Sequence, residues 1–500
     1  MNRKTELAFL SFIELQKDSF TFDDVMAFFE KLNICVEPEE IRVLLSSMPF
    51  LVEFEDDTYC SKDIVLEDVC FSILPTKKEI DEGYLIIGHR TMPFTNQAMM
   101  PSELTFYVGR KIVPKTEKAL PNSEIRKHYE FFGEDYMVQV LGNDIVNMNE
   151  PFDNILNPEL YTTKLTVLDM KKFYEKYKFH YGDRIICTSR NWFEGTINIA
   201  PYSAVNDNTF NIEEFEQIKK IWTGLFEKNL ATVLKKHGVL ANIYEQLFSA
   251  VMEDIKHFSN PFYSSIEEVL DASSLFEIQP FGVESRIWFK GQEIIAIKKW
   301  DSIFTLVPLT NENLEDYGIA KCIMIHLNDF IIQAYIKDAI FNNENDIQNV
   351  INKIIPDFIP VKSKDLSYVL ANLETKYTEL KKEYSKFADY PIAEIRHGAL
   401  EILTDIINLA HEIRLSTISP ETMQQQPLIM MMHLVEHISK LLCIFLEQPE
   451  LSEEELFSMK DSIQGMRMSF DENQEIIMDE LHARHNNLTL SFSGDNKNGK

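Results

Sequence analysis

The sequence predicts an α+β protein of several domains, and three observations carry that prediction. Its 500 residues exceed what a single core commonly serves, and with 45% hydrophobic and 11% aromatic content they can fill more than one. Helical spacing of apolar residues alternates with short strand-and-turn stretches through the first 360 residues. Beyond that point the spacing is helical almost throughout, which predicts a terminal bundle.

Taken in order, residues 5–16 place Leu7, Ala8, Phe9, Phe12 and Ile13 on one helical stripe. In SFTFDDVMAFFEKLN, Thr21 stands ahead of Asp23 and Asp24 as an N-cap stands ahead of an acidic first turn. A third helix begins at Glu37-Pro38, because proline lacks only an N–H that the first helical position leaves unpaired anyway. FLVEFEDDTYCS then alternates and turns at Glu55–Asp57, a hairpin. Helix, helix, helix, hairpin is the order of a winged helix, so residues 1–70 are read as a winged-helix-like module.

Residues 71–210 are β-rich, forming a small barrel or a compact sheet. EGYLIIGHRTMPF and SELTFYVGRKIVP are strands with turns, and RIICTS and TINIAP flank a Trp-Phe-Glu-Gly turn. TVLDMKKFYEKYKF supplies a helix. Residues 211–360 are mixed: NIEEFEQIKKIW opens a helix capped by Asn211, and residues 264–300 repeat the order helix, Phe-rich strand, return strand. That order fits a degenerate second winged helix and fits a chance helix-plus-hairpin equally. A long helix over 320–342 closes the segment. After the linker PDFIPVKSKD, residues 361–487 form an antiparallel bundle of four helices with breaks at Pro391, Pro420 with Pro427, and Pro449, and 488–500 form a disordered tail.

The N-terminal pattern of Phe22, Phe28 and Phe29, then Leu44 and Leu45, then Pro49-Phe50 and Tyr59, resembles the HARE-type helix-turn-helix family over residues 5–65. That family occurs in DNA-associated proteins and in the acidic delta subunit of bacterial RNA polymerase, where the domain serves protein contact. The resemblance therefore implies attachment to transcription or chromosome machinery.

Charge decides which use to expect. The chain holds 49 basic and 79 acidic residues, a net −30, and residues 1–70 alone hold 6 and 16. Such a field repels phosphates and anionic lipid. Arg42 stands among Glu37, Glu39, Glu40, Glu53 and Asp57, so the expected partner is a protein, met by Arg42, Phe54 and Tyr59. Only residues 71–210, with 16 basic and 18 acidic groups, are near neutral. Direct nucleic-acid binding is thus the alternative there, through Arg90, Arg110, Lys111, Arg184, Arg190 and Trp192, since cations interleaved with aromatics can hold phosphates and stack bases. Lys171, Lys172, Lys176 and Lys178 share a helix with Asp169 and Glu175 and read as a solvated face.

No catalytic signature emerges, and the reading leans away from an enzyme with no cofactor expected. The alternative in that class is a zinc-dependent hydrolase using HLVEH, in which His433 and His437 would bind metal and Glu436 would activate water. Against it, the two histidines share a face with Met430, Leu434 and Leu441, as bundle residues do. Glu394 with His397 and Asp479 with His482 have the spacing of di-iron ligands, at a frequency chance supplies. GDNKNGK satisfies a phosphate-loop pattern but has no following helix. Six scattered cysteines without a CxxC pair fit reduced thiols, hence a cytoplasmic setting, and no apolar run is expected to span a membrane. The sequence leaves the oligomeric state open.

Overall fold

Local chemistry accounts for the first elements. The computed structural model describes residues 3–54, 57–151, 154–157, 160–203, 212–239, 241–259, 263–295, 329–344, 346–354, 363–384, 386–416, 418–447 and 451–494. Helix α1 (Arg3–Leu15) leads to the short strand β1 (Phe20–Thr21) and α2 (Phe22–Lys31). Thr21 caps α2 as the sequence predicts: its Oγ1 accepts the Asp24 N–H at 3.2 Å, and Asp24 accepts the Thr21 N–H at 2.8 Å. Helix α3 (Pro38–Ser47) opens on proline. Strands β2 (Leu51–Glu53) and β3 (Thr58–Ser61) form the hairpin, and β3 lies between β1 and β2, antiparallel to both. The expected turn residues Glu55 and Asp56 lie outside the described residues. Phe9, Phe12, Phe29, Ile41, Leu44 and Tyr59 meet in one buried cluster, so the aromatic pattern is a core pattern.

The middle is strand-rich. Along the chain come α4 (Lys62–Val65), β4 (Cys70–Ile73), α5 (Lys77–Glu82), β5 (Tyr84–Leu85), β6 (Thr105–Val108), β7 (Lys111–Ile112) and β8 (Lys115–Pro121). They are followed by α6 (Asn122–Tyr129), α7 (Glu134–Gly142), β9 (Thr162–Asp169), α8 (Lys171–Tyr177), β10 (Arg184–Asn191) and β11 (Thr196–Tyr202). The described strands form two open sheets, β4-β10-β11-β6-β7 and β5-β9-β8, so of the two expected forms the sheet is the one found. The hairpin over 184–202 has the expected turn, with Gly195 at φ +58°. TVLD, expected as helical, is the end of β9: Thr166, Val167 and Leu168 are buried in succession and paired with β8, and the helix starts only at Lys171.

Helices α9 (Ile212–His237) and α10 (Ile243–Met252) follow, then α11 (Ile255–Phe258), α12 (Ile266–Ala272) and the hairpin of β12 (Phe276–Phe281) and β13 (Glu284–Phe289). Phe226, Leu230 and Leu247 share a buried core with Phe106, Ile185 and Ile197, so the helices after residue 211 complete the core of the preceding strands. The expected cap Asn211 lies outside the described residues.

The chain divides into two compact units, residues 1–279 with 284–292, and residues 280–283 with 293–500. The second is the C-terminal helical bundle: α13 (Asp329–Phe341), α14 (Ile347–Ile354), α15 (Ser363–Glu383), α16 (Lys386–Leu415), α17 (Gln425–Glu447) and α18 (Glu453–Gly494). Tyr335, Ile402, Ile406, Leu428, Ile438 and Phe470 mark its core. The expected break at Pro391 is not found: α16 runs from Lys386 through Pro391, its sixth residue, where the proline leaves one intrahelical bond unmade without ending the helix. Helix α18 continues to Gly494, into the stretch expected as a tail, and 495–500 lie outside the described residues, as do 320–328 of the expected long helix.

One expectation about membranes is corrected. Among the described residues α17 is, over Gln425–Phe445, long and apolar enough to cross a membrane by length and composition. Its charged residues are few and lie on one side, so they did not break the run. It also meets the description of a bundle's central helix, with 61% of its apolar window buried inside the protein.

Candidate functional site

The outward face of the N-terminal elements is acidic and apolar. Asp23, Asp24, Glu37, Glu39, Glu40, Glu53 and Asp57 are all exposed, and so are Leu7, Leu15 and Leu32. Of the three expected contact residues, Arg42 and Phe54 are exposed, while Tyr59 is buried with its hydroxyl 3.3 Å from Glu53. Burial and the Glu53 carboxylate raise the Tyr59 pKa. The Arg42 guanidinium stands 4.4 Å from the Phe22 ring centroid, a cation–π contact that holds the one cation of α3 against its own fold.

This face is presented by a fixed seat. Lys62, first residue of α4, reaches into a box of rings, with its Nζ 4.7 Å from Phe248, 5.0 Å from Tyr244 and 5.8 Å from Trp192. Burial lowers its pKa to about 8, against the opposing charge of Glu245. Asp63 accepts the backbone N–H of Trp192 at 2.5 Å, and Phe50 meets Phe193 edge-on at 5.6 Å. Trp192, expected as a base-stacking residue, is thus buried, with its indole N–H donated to Tyr244 at 3.2 Å. Its role here is to join the N-terminal elements to the strand-rich body.

Two of the expected phosphate-binding arginines are inside the protein. Arg90 Nη1 donates to Glu79 at 2.8 Å and its Nε lies 3.3 Å from Glu267, with His128 closing the ring through contacts to Arg90 at 3.2 Å and to Glu267 at 3.3 Å. Burial favours the neutral form of Glu267, but Arg90, His128 and His89 overcome it and hold the group well below the usual carboxylate range. His89 stacks on Phe131 at 3.7 Å, and burial depresses its pKa. Arg184 grips the neighbouring Glu268 at 2.5 and 2.7 Å. Adjacent carboxylates at the start of α12 therefore take one arginine each from different parts of the strand-rich body. The cavity beside His89 and Arg90 measures about 20 Å³, the size of a water molecule and far below any substrate.

Arg110, Lys111 and Arg190 are exposed, and Arg190 lies 4.6 Å from the Tyr107 ring. They are the members of the expected nucleic-acid set that solvent reaches. Lys171 and Lys172 are exposed on α8 beside exposed Asp169, the solvated face expected of them.

The HxxEH side chains are engaged with other groups. His433 is 8% exposed, Glu436 is bound by Lys440 at 2.6 Å, and His437 Nδ1 faces the His433 carbonyl at 2.9 Å. Among the described residues, no group of three or more His, Cys, Asp or Glu side chains is placed to hold a metal. The di-iron spacing fares likewise: Glu394 pairs with Lys460 at 3.0 Å while His397 turns to Asp338 at 3.0 Å.

Compared with known proteins, the chain matches no family model, no curated protein and no solved structure. Sequence reasoning missed Lys62, Glu79, His128 and the Glu267-Glu268 pair. A weak signal existed for the last: SSIEEVL combines a serine cap with two first-turn carboxylates on a helix whose Ile266 and Val269 are buried.

Proposed function

We propose that this is a non-enzymatic interaction protein whose N-terminal winged-helix module, of the HARE type, docks a protein bearing a basic surface. Three helices and a sheet of order β1-β3-β2 agree with a winged helix. The observation that carries the reading is the charge on its recognition face: α3 begins with exposed Glu39 and Glu40, and Arg42 is held on Phe22. Carboxylates there repel phosphates, so DNA contact by this face is costly, whereas a lysine- or arginine-rich protein surface complements it. Attachment to transcription or chromosome machinery rests on the family resemblance.

The test is capture of the tagged full chain from its own cells, with and without nuclease, beside a Glu39→Lys/Glu40→Lys variant. A defined protein kept after nuclease and lost with the variant supports the reading. Partners that vanish with nuclease, and persist in the variant, overturn it and direct attention to Arg110, Lys111 and Arg190.

A further inference from the structure

The bundle contains a polar trough of about 470 Å³, within the size range of small-molecule sites. Its wall is one face of α16, where His397, Glu401 and Asp405 recur at successive turns over roughly 12 Å at 1.5 Å per residue. Tyr335 and Asp338 of α13, Lys353 of α14 and Arg467 of α18 complete the lining.

The floor is built. Asp338 is 2% exposed and takes His397 Nδ1 at 3.0 Å and the Asn342 amide at 3.2 Å, which fixes the imidazole with Nε2 toward Glu401 at 3.5 Å. Tyr335 is buried with its hydroxyl 2.9 Å from Thr404. Hydrogen-bonding capacity is nevertheless left over on both signs of charge. Lys353 Nζ stays 3.7 Å from Asp338 and 3.8 Å from Glu344, beyond hydrogen-bond reach. Arg467 hydrogen-bonds Asp405 through Nη1 at 2.6 Å, and no hydrogen bond of its Nε or Nη2 is found among the described residues. Glu401 meets only His397 among the described residues, and it stands one helical turn from Asp405.

Ligand class follows from that mixture. A dianion placed here faces Asp338, Glu401 and Asp405 inside a protein of net charge −30. A diamine faces Lys353 and Arg467. A molecule carrying one charge of each sign satisfies both sets. We propose that the trough binds a small zwitterion of amino-acid type, with its ammonium between Glu401 and Asp405 and its carboxylate held by Arg467 together with Lys353. The site is independent of the N-terminal docking face and its failure leaves that reading untouched.

The test is isothermal titration of the full chain with the proteinogenic L-amino acids singly, with succinate and putrescine as the matching dianion and dication. Saturable one-to-one binding of at least one amino acid is expected, weakened about tenfold or more in Glu401→Gln and in Arg467→Gln, the loss of one charge-assisted hydrogen bond. Circular dichroism melts check that these half-exposed replacements fold. No saturable heat from any amino acid at millimolar concentration overturns the proposal. So does succinate or putrescine binding as tightly, or amino-acid binding that both variants leave unchanged.

Discussion

Replacing Lys62 by methionine isolates the balance between burial and ring contacts at the seat of the N-terminal module. The replacement keeps an unbranched chain among Phe248, Tyr244 and Trp192 and removes the charge. Burial depresses the lysine from 10.5 to about 8, which at about 1.36 kcal/mol per unit is a penalty of roughly 3 kcal/mol for holding the ammonium. Three ring faces return about 0.5–2 kcal/mol each at most, and the more they return the less the pKa falls. Because the folded pKa is the lower one, the unfolded chain alone holds the proton between pH 8 and 10.5, and the Lys62 protein gains stability as pH rises through that window. Lys62→Met is therefore expected to be the more stable protein at neutral pH, with its advantage shrinking by roughly 2 kcal/mol by about pH 10. Urea unfolding read by emission of the unit's tryptophans measures both proteins side by side. Tyrosines ionise in both alike and cancel in the difference. A difference that is constant from neutral to alkaline pH refutes the reasoning, because it means the rings fully offset burial.

Glu267→Gln leaves Arg90 with Glu79 alone and is expected to cost roughly 3 kcal/mol in urea unfolding of the full chain. Since Glu267 is held below its ordinary value, that deficit is present at neutral pH and fades in acid, as the wild type loses the paired carboxylate. Glu130 has the opposite sign: burial, with Asp271 and Glu267 adding repulsion, raises it to about 7, so the wild type loses stability as pH climbs from 4.5 through 7. Glu130→Gln is expected to match the wild-type melting temperature near pH 5 and exceed it near pH 8, and equal temperatures at both would contradict the assignment. Thr21→Ala removes the cap of α2 and is expected to cost about 1 kcal/mol, measured as the amide exchange protection of α2.

What the sequence made legible was local. The Thr21–Asp24 cap and Pro38 at the head of α3 lie within four residues of the patterns that signal them. RIICTS and TINIAP announce their hairpin through alternation and Gly195. Strands β1 and β5 have two residues each, too short for any period to show, and their positions come from pairing with Tyr59 and Leu168. The site failed for a related reason. Arg90 and Glu267 are 177 residues apart, and Arg184 and Glu268 are 84 apart, so each arginine looks available until the chain is folded. A cation's sequence neighbours report its local charge; its ion pair depends on tertiary contacts that carry no period.

The distribution of charge also sets how the docking reading must be tested. Arg90 and Arg184 take Glu79, Glu267 and Glu268 out of solvent with them, whereas Lys62 is buried among rings and Asp23, Asp24, Glu39 and Glu40 stay exposed in a chain of net −30. A basic protein partner and a nucleic acid both lose affinity as salt rises, so salt dependence alone does not separate them. Sign does. Glu39→Lys/Glu40→Lys adds positive charge to α3 and must weaken a basic protein partner, by slowing encounter as well as by removing contacts. The same change relieves repulsion of phosphates, so a nucleic acid approaching that face must bind it better. Measured on the full chain against the captured partner, the two hypotheses move affinity in opposite directions, and a change too small to resolve would exclude α3 from the interface altogether.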